Sequence, residues 1–446
     1  MKQQQCMGTE RGNGFVPVPP QTAGATSLTS GTSKGDAGWR QACCLAPYLV
    51  FMLVLLLVAA GCDEIPIGRK QEAPDTSRLV VVGDSLSAGH QNSCMLETQQ
   101  PWGYANQVAG QMGASLTLPL VGAPGAPPCL TLLQTGNPLS IVRSADPNDF
   151  GQYGQRTNPG ATVTNLSIPG TRVVDAVWGR DQAFFTAIQY PYEYLHRLVL
   201  APDTTMIEEA EALHPTTVIM WLGSNDALWA AITGSTQVLT PPLAFERAYS
   251  EAIRRMKKTG ARVIVANVPD PTVIPHLFPA ELVLAWFGTN LETVGGFLGL
   301  ATGDRVTQGG LAELAAALQQ TPPAPLSDQA VTSAAEMAEI SAAVVKFNQI
   351  IALNAFANNA LMVDINALLS DVHENGVDVG GAHLTTDFCG GVFTLDGIHP
   401  TNVGYAVTAN EFIAAMNERF GTNYPAVDTA AVLASEPMQH FCVAAN

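Results

Sequence analysis

Residues 78–85 read Arg78-Leu-Val-Val-Val-Gly-Asp-Ser85, and this stretch indicates the fold. A continuous aliphatic run without polar alternation is typical of a strand that is buried on both faces, as in parallel sheets. The glycine, aspartate and serine that follow favour a tight turn into a helix, because Asp and Ser are common helix caps. We therefore expect a parallel strand that places Ser85 at the carboxyl edge of a sheet.

Similar apolar runs recur along the chain, each followed by a polar or glycine-containing turn, at 162–166, 217–222, 262–266 and 361–364. Helical periodicity lies between them, most clearly at 244–259 and 334–358. Strands that alternate with helices predict an α/β fold in which helices cover both faces of a parallel sheet. The count of runs predicts about five parallel strands.

Two segments interrupt this alternation and are predicted to be large insertions. Residues 118–160 are dense in Pro, Gly and Asn, which is typical of a long surface excursion. Residues 271–330 are rich in leucine and aromatic residues, so we expect a helical insertion. Its apolar side chains either favour acyl chains in a binding site or form a second small core. The main domain is predicted at 78–425, and 426–446 is a C-terminal tail.

The composition restricts the class of protein. Of the 446 residues, 47% are hydrophobic and 13% charged, so wholesale disorder does not fit. The 38 acidic and 21 basic residues give a net charge of −17. A surface of that sign repels phosphate backbones, so we expect no nucleic-acid partner.

The N-terminal region is predicted to be an export signal. Residues 1–44 are polar and without periodicity, as in a disordered extension, and an apolar run follows at 45–60. That run is shorter than the ~20 residues that span a bilayer, and Lys34 and Arg40 precede it, as in a secretory signal peptide. Val58-Ala-Ala-Gly-Cys62 resembles a bacterial lipoprotein signal, which implies that 1–61 are removed and that Cys62 is lipidated.

This interpretation places the protein in the bacterial cell envelope, anchored to the membrane by lipid on Cys62, with 62–77 as a linker. The alternative is a membrane anchor that is never cut. Four cysteines follow Cys62, and an even number in an exported protein predicts two disulfides with three possible connectivities. We expect the sequence-local pairs, Cys94 with Cys129 and Cys389 with Cys442. Four buried thiols are the alternative.

Ser85 and His399 are the candidate nucleophile and base. A serine on a tight strand-to-helix turn exposes its hydroxyl, as a nucleophile requires, although it also suits a helix cap. In Leu395-Asp-Gly-Ile-His-Pro400, Asp396 lies three residues before His399. That spacing lets the carboxylate hold one imidazole nitrogen while the other takes the serine proton. A metal site of His373, His383 and His399 is the weaker alternative, because no metal-binding spacing supports it; we expect no metal and no cofactor.

Two further turns offer groups for an oxyanion hole. Gly170 follows the second predicted strand, and Gly-Ser-Asn-Asp at 223–226 follows the third. The Gly170 N–H and the Asn225 amide could each point at an oxyanion. Taken singly, each is better explained as a turn residue.

Four blocks of residues, in this order, resemble the GDSL or SGNH hydrolase superfamily of lipases and esterases: Gly-Asp-Ser at 83–85, Gly170, Gly-Ser-Asn-Asp at 223–226 and Asp-Gly-Ile-His-Pro at 396–400. The resemblance spans about 78–420. It implies a three-layer α/β/α flavodoxin-like sandwich with Ser85 as nucleophile, His399 as base and Asp396 orienting the base. It also implies an oxyanion hole formed by the backbone N–H groups of Ser85 and Gly170 and the side chain of Asn225.

The predicted function is that of an exported serine esterase or lipase that hydrolyses carboxylic esters, acyl or lipid esters above all, through an acyl-enzyme on Ser85. A carbohydrate O-acetylesterase is an alternative within the enzyme class. A non-catalytic lipoprotein that binds envelope polymers is an alternative from another class. Such a protein has no need of a complete set of Ser85, Asn225, Asp396 and His399.

Overall fold

The structure is a computed structural model that describes residues 72–134, 140–147, 149–180 and 193–442. The predicted extension, the signal peptide, Cys62 and most of the linker lie outside the described residues.

Four parallel strands form the central sheet, in the order β1 (Leu79–Gly83), β4 (Thr217–Trp221), β5 (Arg262–Ala266) and β9 (Leu361–Val363). Val81 of β1 lies beside Ile219 of β4, and Ile219 lies beside Ile264 of β5. All four correspond to predicted apolar runs, within a residue or two at each end. The prediction of parallel strands is confirmed: β1 and β4 are buried throughout, whereas Leu361 and Met362 of β9 are half-buried.

The predicted strand at 162–166 is not a regular strand, so within the described residues the central sheet has four strands and not five. Asn165 makes one isolated parallel bridge with Val81. Backbone hydrogen bonds also join the segment to β1: the Val81 N–H donates to the Thr164 carbonyl oxygen at 2.9 Å, and the Leu166 N–H donates to the Val81 carbonyl oxygen at 2.8 Å. The segment still lies alongside β1, where it gives the strand order 2-1-3-4-5 of flavodoxin-like folds.

Helices cover both faces of the sheet and complete three layers. On the face of Val81, Ile219 and Ile264, the core contains side chains of α2 (Tyr104–Met112) and α13 (Asn402–Phe420). On the opposite face it contains side chains of α7 (Pro242–Lys258) and α11 (Ala334–Ala357). Alternate residues of each strand enter opposite cores, as the pleat requires. The three-layer α/β/α fold is thus confirmed.

Helix α11 is, within the described ranges, the one helix that is long and apolar enough to cross a membrane by length and composition. Its Ile340, Val344, Phe347 and Ile351 are buried in the core. The Phe347 ring stacks on Phe245 of α7 at a centroid distance of 4.2 Å. This face makes α11 a covering helix of the sheet.

The predicted excursion at 118–160 contains an antiparallel hairpin, β2 (Leu130–Gln134) and β3 (Ser140–Arg143). A disulfide between Cys94 and Cys129, with Cα atoms 5.0 Å apart, ties it to the segment that follows α1 (Ser85–Ala88).

The 271–330 segment is only partly helical, which corrects the sequence prediction. It contains α8 (Ala280–Trp286), α9 (Leu291–Leu298) and α10 (Leu311–Ala317). It also contributes β6 (Leu277–Pro279) and β7 (Arg305–Thr307), which form a three-stranded antiparallel sheet with β8 (Val331–Thr332). These strands have two or three residues each, too short for alternation to reveal them. Its apolar side chains form a separate small core, the second of the two predicted alternatives.

The C-terminal tail is packed against the domain. It contains α14 (Thr429–Ala434), and Cys442 is disulfide-bonded to Cys389, with Cα atoms 5.4 Å apart. The Glu436 carboxylate accepts the N–H of Val403, at the start of α13, at 2.9 Å. Both disulfides are the sequence-local pairs.

The remaining helices and strands connect these layers. They are α3 (Val173–Trp178), α4 (Glu193–Val199), α5 (Met206–Ala212), α6 (Asn225–Thr233), α12 (Ile365–Asn375), β10 (Val377–Val379) and β11 (Ala382–Leu384).

Candidate active site

Ser85 begins helix α1 directly after β1, as the sequence predicts. Asp84 caps this helix, since its Oδ1 accepts the N–H of Leu86 at 3.0 Å. Burial raises the pKa of Asp84 to about 6 in spite of that bond. A Cβ on Gly83 would lie 2.4 Å from Ser87 Oγ and 2.9 Å from the Trp221 carbonyl oxygen. Glycine is therefore required where β1 turns into the helix that carries Ser85.

Asp396 holds His399 in a defined orientation. Asp396 Oδ2 lies 2.8 Å from His399 Nδ1, and both side chains are buried. His399 Nε2 is buried and has no hydrogen-bond partner in the described part of the chain. Because the Asp396 carboxylate accepts from Nδ1, Nε2 is left to act as a proton acceptor.

The Asp396 carboxylate is ionised because donors surround it. Burial alone would raise the pKa of Asp396, but the charge of His399 and hydrogen bonds outweigh it, so the pKa lies well below its usual range. Oδ1 accepts the N–H groups of Ile398 at 2.8 Å and His399 at 2.9 Å. Oδ2 also accepts the N–H of Ser93 at 2.6 Å. Such bonds favour the charged form of a carboxyl group.

Two hydrogen bonds join the turns that carry Gly170 and Asn225. Asn225 Nδ2 donates to the carbonyl oxygen of Thr171 at 3.1 Å, and Asp226 Oδ2 accepts the N–H of Val173 at 2.9 Å. An amide NH₂ has two donors, and this bond uses one of them. The two proposed oxyanion donors are therefore fixed relative to each other.

Two cavities meet at Ser85 and Asn225, which line both. One has a volume of about 290 Å³ and is also lined by Gly170 and His399. The other, of about 100 Å³, is almost wholly apolar. The structure thus brings the predicted nucleophile, base and two oxyanion residues to one place.

A comparison with known protein families identifies the family of this chain. The family described as GDSL-like Lipase/Acylhydrolase matches residues 79–412, about three quarters of the chain. The chain belongs to this family. It is therefore an ester-bond hydrolase, which disfavours the non-catalytic binding protein.

The solved structures that are similar to this GDSL family member are distant. One is LAE5, an α/β hydrolase from the metagenome of Lake Arreo, Spain, with 15% identity and a TM-score of 0.34, covering 78% of this chain and 98% of that chain. Another is Axe2, an acetylxylan esterase from Geobacillus stearothermophilus, with 13% identity and a TM-score of 0.35. The match covers 80% of this chain and 98% of the Axe2 chain. Both TM-scores are below 0.5, so the family match alone carries the assignment. No curated protein matches the sequence.

Two histidines beside the site of this GDSL hydrolase were missed by the sequence analysis. His90 is buried with its ring 4.5 Å from that of His399, between centroids. Burial, followed by the charge of His399, holds the pKa of His90 well below its usual range, so His90 is neutral and does not repel a protonated His399. The sequence position of His90, five residues after Ser85, could have indicated that it lies near the site.

His276 belongs to the 271–330 insertion and supports the catalytic loop. The ring Nδ1 of His276 lies 2.9 Å from the Asp396 carbonyl oxygen. The backbone N–H of His276 donates to the Gly397 carbonyl oxygen at 3.0 Å. Gln308 Nε2 donates to the Leu395 carbonyl oxygen at 2.7 Å. Gly397 has φ +65°, and a Cβ there would lie 2.6 Å from the His276 nitrogen. The insertion therefore fixes the backbone that carries Asp396.

The three histidines considered for a metal each bond a different side chain. His373 Nδ1 lies 2.9 Å from Thr386 Oγ1, and His383 Nδ1 lies 2.9 Å from Asp378 Oδ1. No cluster of His, Cys, Asp or Glu that could hold a metal occurs among the residues that the structure describes.

Proposed function

We propose that this GDSL hydrolase is a serine esterase that cleaves carboxylic esters through an acyl-enzyme on Ser85. The observation that carries the proposal is the His399 ring: Asp396 binds its Nδ1, its Nε2 has no hydrogen-bond partner among the described residues, and His399 and Ser85 line the same cavity. Nucleophile, base and orienting carboxylate are the parts that acyl transfer requires.

In the first step, Ser85 Oγ bonds to the ester carbonyl carbon and its proton passes to His399 Nε2. The oxyanion is stabilised by the Asn225 amide and by backbone N–H groups of Ser85 and Gly170. The bond to the alcohol oxygen then breaks, and His399 returns the proton to the leaving alcohol. A water molecule attacks the acyl-enzyme by the same route, which releases the acid and restores Ser85.

The decisive experiment compares Ser85→Ala with Ser87→Ala. Ser87 lies on the same helix, but its hydroxyl bonds Tyr104 at 2.8 Å and lies outside both cavities. We expect Ser85→Ala to lower kcat for p-nitrophenyl butyrate by roughly 10⁶ and to abolish labelling by a fluorophosphonate. Ser87→Ala should keep the wild-type kcat and the labelling by the fluorophosphonate. Activity of Ser85→Ala within tenfold of wild type would refute the mechanism.

A carbohydrate O-acetylesterase is the second candidate, and the larger cavity favours it. Its walls include Phe150, Tyr153 and Trp229 together with Arg143, which suits a sugar with polar edges and an apolar face. Release of acetate from peracetylated xylose faster than from simple acetate esters would support this function, and the reverse order would reject it.

We also propose export and lipid anchoring on Cys62. Two disulfides support this, because disulfides persist in oxidising compartments such as the bacterial periplasm and cell surface. Cys62→Ser should abolish labelling of the protein by a fatty-acid probe in cells. Unchanged labelling would show that Cys62 is not the lipidation site.

A further inference from the structure

The apolar cavity beside Ser85 is built mostly by parts of the chain outside the 271–330 insertion, which contributes Pro271 and Ile274. Helix α12 contributes Leu368, Leu369 and Val372, and the β10–β11 hairpin contributes Val377 and Leu384. Ser85 and Asn225 line the same cavity. A molecule in this cavity therefore lies next to the proposed nucleophile.

The wall chemistry suits a hydrocarbon. Asp270 is the only ionisable side chain in the lining described by the structure, and its Oδ1 already accepts the N–H of Thr272 at 2.9 Å. The other lining groups are mostly aliphatic. A polar ligand would lose hydrogen bonds to water on entry without replacing them, which is costly.

The two cavities differ in a way that matches the two arms of an ester. The larger one has Arg143, Tyr153 and Trp229 in its wall and suits a polar alcohol group. The smaller one suits an alkyl chain. Because both share Ser85 and Asn225, an ester carbonyl at Ser85 extends one arm into each.

The size of the apolar cavity limits the length of that chain. An apolar cavity of about 150 Å³ takes the six carbons of benzene, so one of about 100 Å³ takes roughly four carbons. Counting the carbonyl carbon, this corresponds to acyl groups of about four to six carbons.

We propose that this cavity is the acyl site and that it selects straight acyl chains of about four to six carbons. This inference rests on the proposed function and names its substrate class. Each methylene that enters raises kcat/KM about fourfold, until the cavity is full. Butyrate esters should then exceed acetate esters roughly 15-fold.

The test measures kcat/KM of the full chain for p-nitrophenyl acetate, butyrate, hexanoate and decanoate. We expect a maximum at butyrate or hexanoate. Val377→Phe, which narrows the cavity, should lower hexanoate turnover at least tenfold relative to acetate. Leu369→Ala, which widens it, should move the maximum to longer chains. Val345→Phe on the exposed face of α11 is the matched control and should leave the profile unchanged.

Three outcomes would overturn the acyl site while leaving the esterase intact. They are a flat profile, a maximum at acetate, and an equal loss on all esters in a folded Val377→Phe variant. If Val377→Phe does not fold, the wild-type profile and Leu369→Ala decide the matter alone. Acetate hydrolysis that survives Ser85→Ala would instead refute the proposed function.

Discussion

Replacing Asp396 by Asn tests the proposed base, because the structure dictates how the new amide must sit. Oδ1 of Asp396 accepts from three donors, the N–H groups of Ile398 and His399 and the Thr394 hydroxyl at 3.1 Å. The amide oxygen must take that place, so the NH₂ group faces Ser93 and His399 Nδ1. His399 Nδ1 then accepts a hydrogen bond from this NH₂ group, so the ring proton lies on Nε2. Nε2 can then no longer take the proton of Ser85.

Two magnitudes follow from this geometry. A histidine in the wrong tautomer lowers kcat by about 10⁴ in serine hydrolases of known mechanism. The half-buried N–H of Ser93 also loses its acceptor, which costs at most about 1–3 kcal/mol in the free energy of unfolding. We therefore expect Asp396→Asn to be folded, somewhat less stable, and nearly inactive.

The assay combines steady-state kinetics on p-nitrophenyl butyrate with urea unfolding. Asp378→Asn is the matched control, since Asp378 bonds His383 at 2.9 Å, close to the 2.8 Å of Asp396 and His399, but both side chains are exposed. That control should leave kcat unchanged. A kcat within tenfold of wild type for folded Asp396→Asn would show that Asp396 does not set the tautomer of His399.

Four further predictions concern other parts of the molecule. Asn225→Ala should lower kcat by about 10²–10³ with little change in KM, because its bond strengthens in the transition state. Gln308→Ala removes the bond to the Leu395 carbonyl oxygen and should lower kcat about tenfold through a displaced catalytic loop, at unchanged KM. Burial raises the pKa of Asp226 to about 7, so the stability of the wild type relative to Asp226→Asn should fall as pH rises from about 4 to 7, by up to about 4 kcal/mol in parallel thermal melts. Cys442→Ser opens a disulfide that joins residues 53 positions apart, and should lower both Tm and activity, with at most about 4 kcal/mol lost.

Each of these has a contrary result that is easy to recognise. A raised KM with unchanged kcat would make Asn225 a substrate-binding residue. Wild-type kinetics of Gln308→Ala would mean that the insertion does not position the loop. A pH dependence of Asp226→Asn equal to wild type would assign the effect to other carboxyl groups. Full activity of Cys442→Ser at a lowered Tm would separate the tail from catalysis.

The central sheet was predictable because each strand is a continuous apolar run that ends in a turn. Strand β5 was predicted to the residue, and α11 to within one residue of its end. The segment at 162–166 is less apolar, since three of its five residues are Thr or Asn, and it hydrogen-bonds to β1 without forming a regular strand. The antiparallel sheet of β6, β7 and β8 was not predicted, because its strands are too short to show periodicity.

Ser85, Asn225 and His399 were predictable because carboxyl ends of parallel strands and the loops around them converge on one edge. His276 and Gln308 were not, because they act on the backbone of a loop about a hundred residues away. The apolar cavity was also invisible in the sequence, since α12 and the hairpin contribute ordinary aliphatic residues. Only the folded chain shows that these line a space next to Ser85.

The packed tail has a consequence for the timing of activity. Glu436 binds the start of α13, and His440 lies within hydrogen-bond distance of Asn92, whose Oδ1 accepts the N–H of Leu395 in the catalytic loop. A ribosome makes residues 436–442 after every catalytic group. We therefore expect the loop to reach its final position only after this segment has been synthesised and has docked. Proteolytic removal of the segment should accordingly lower the activity of the mature protein.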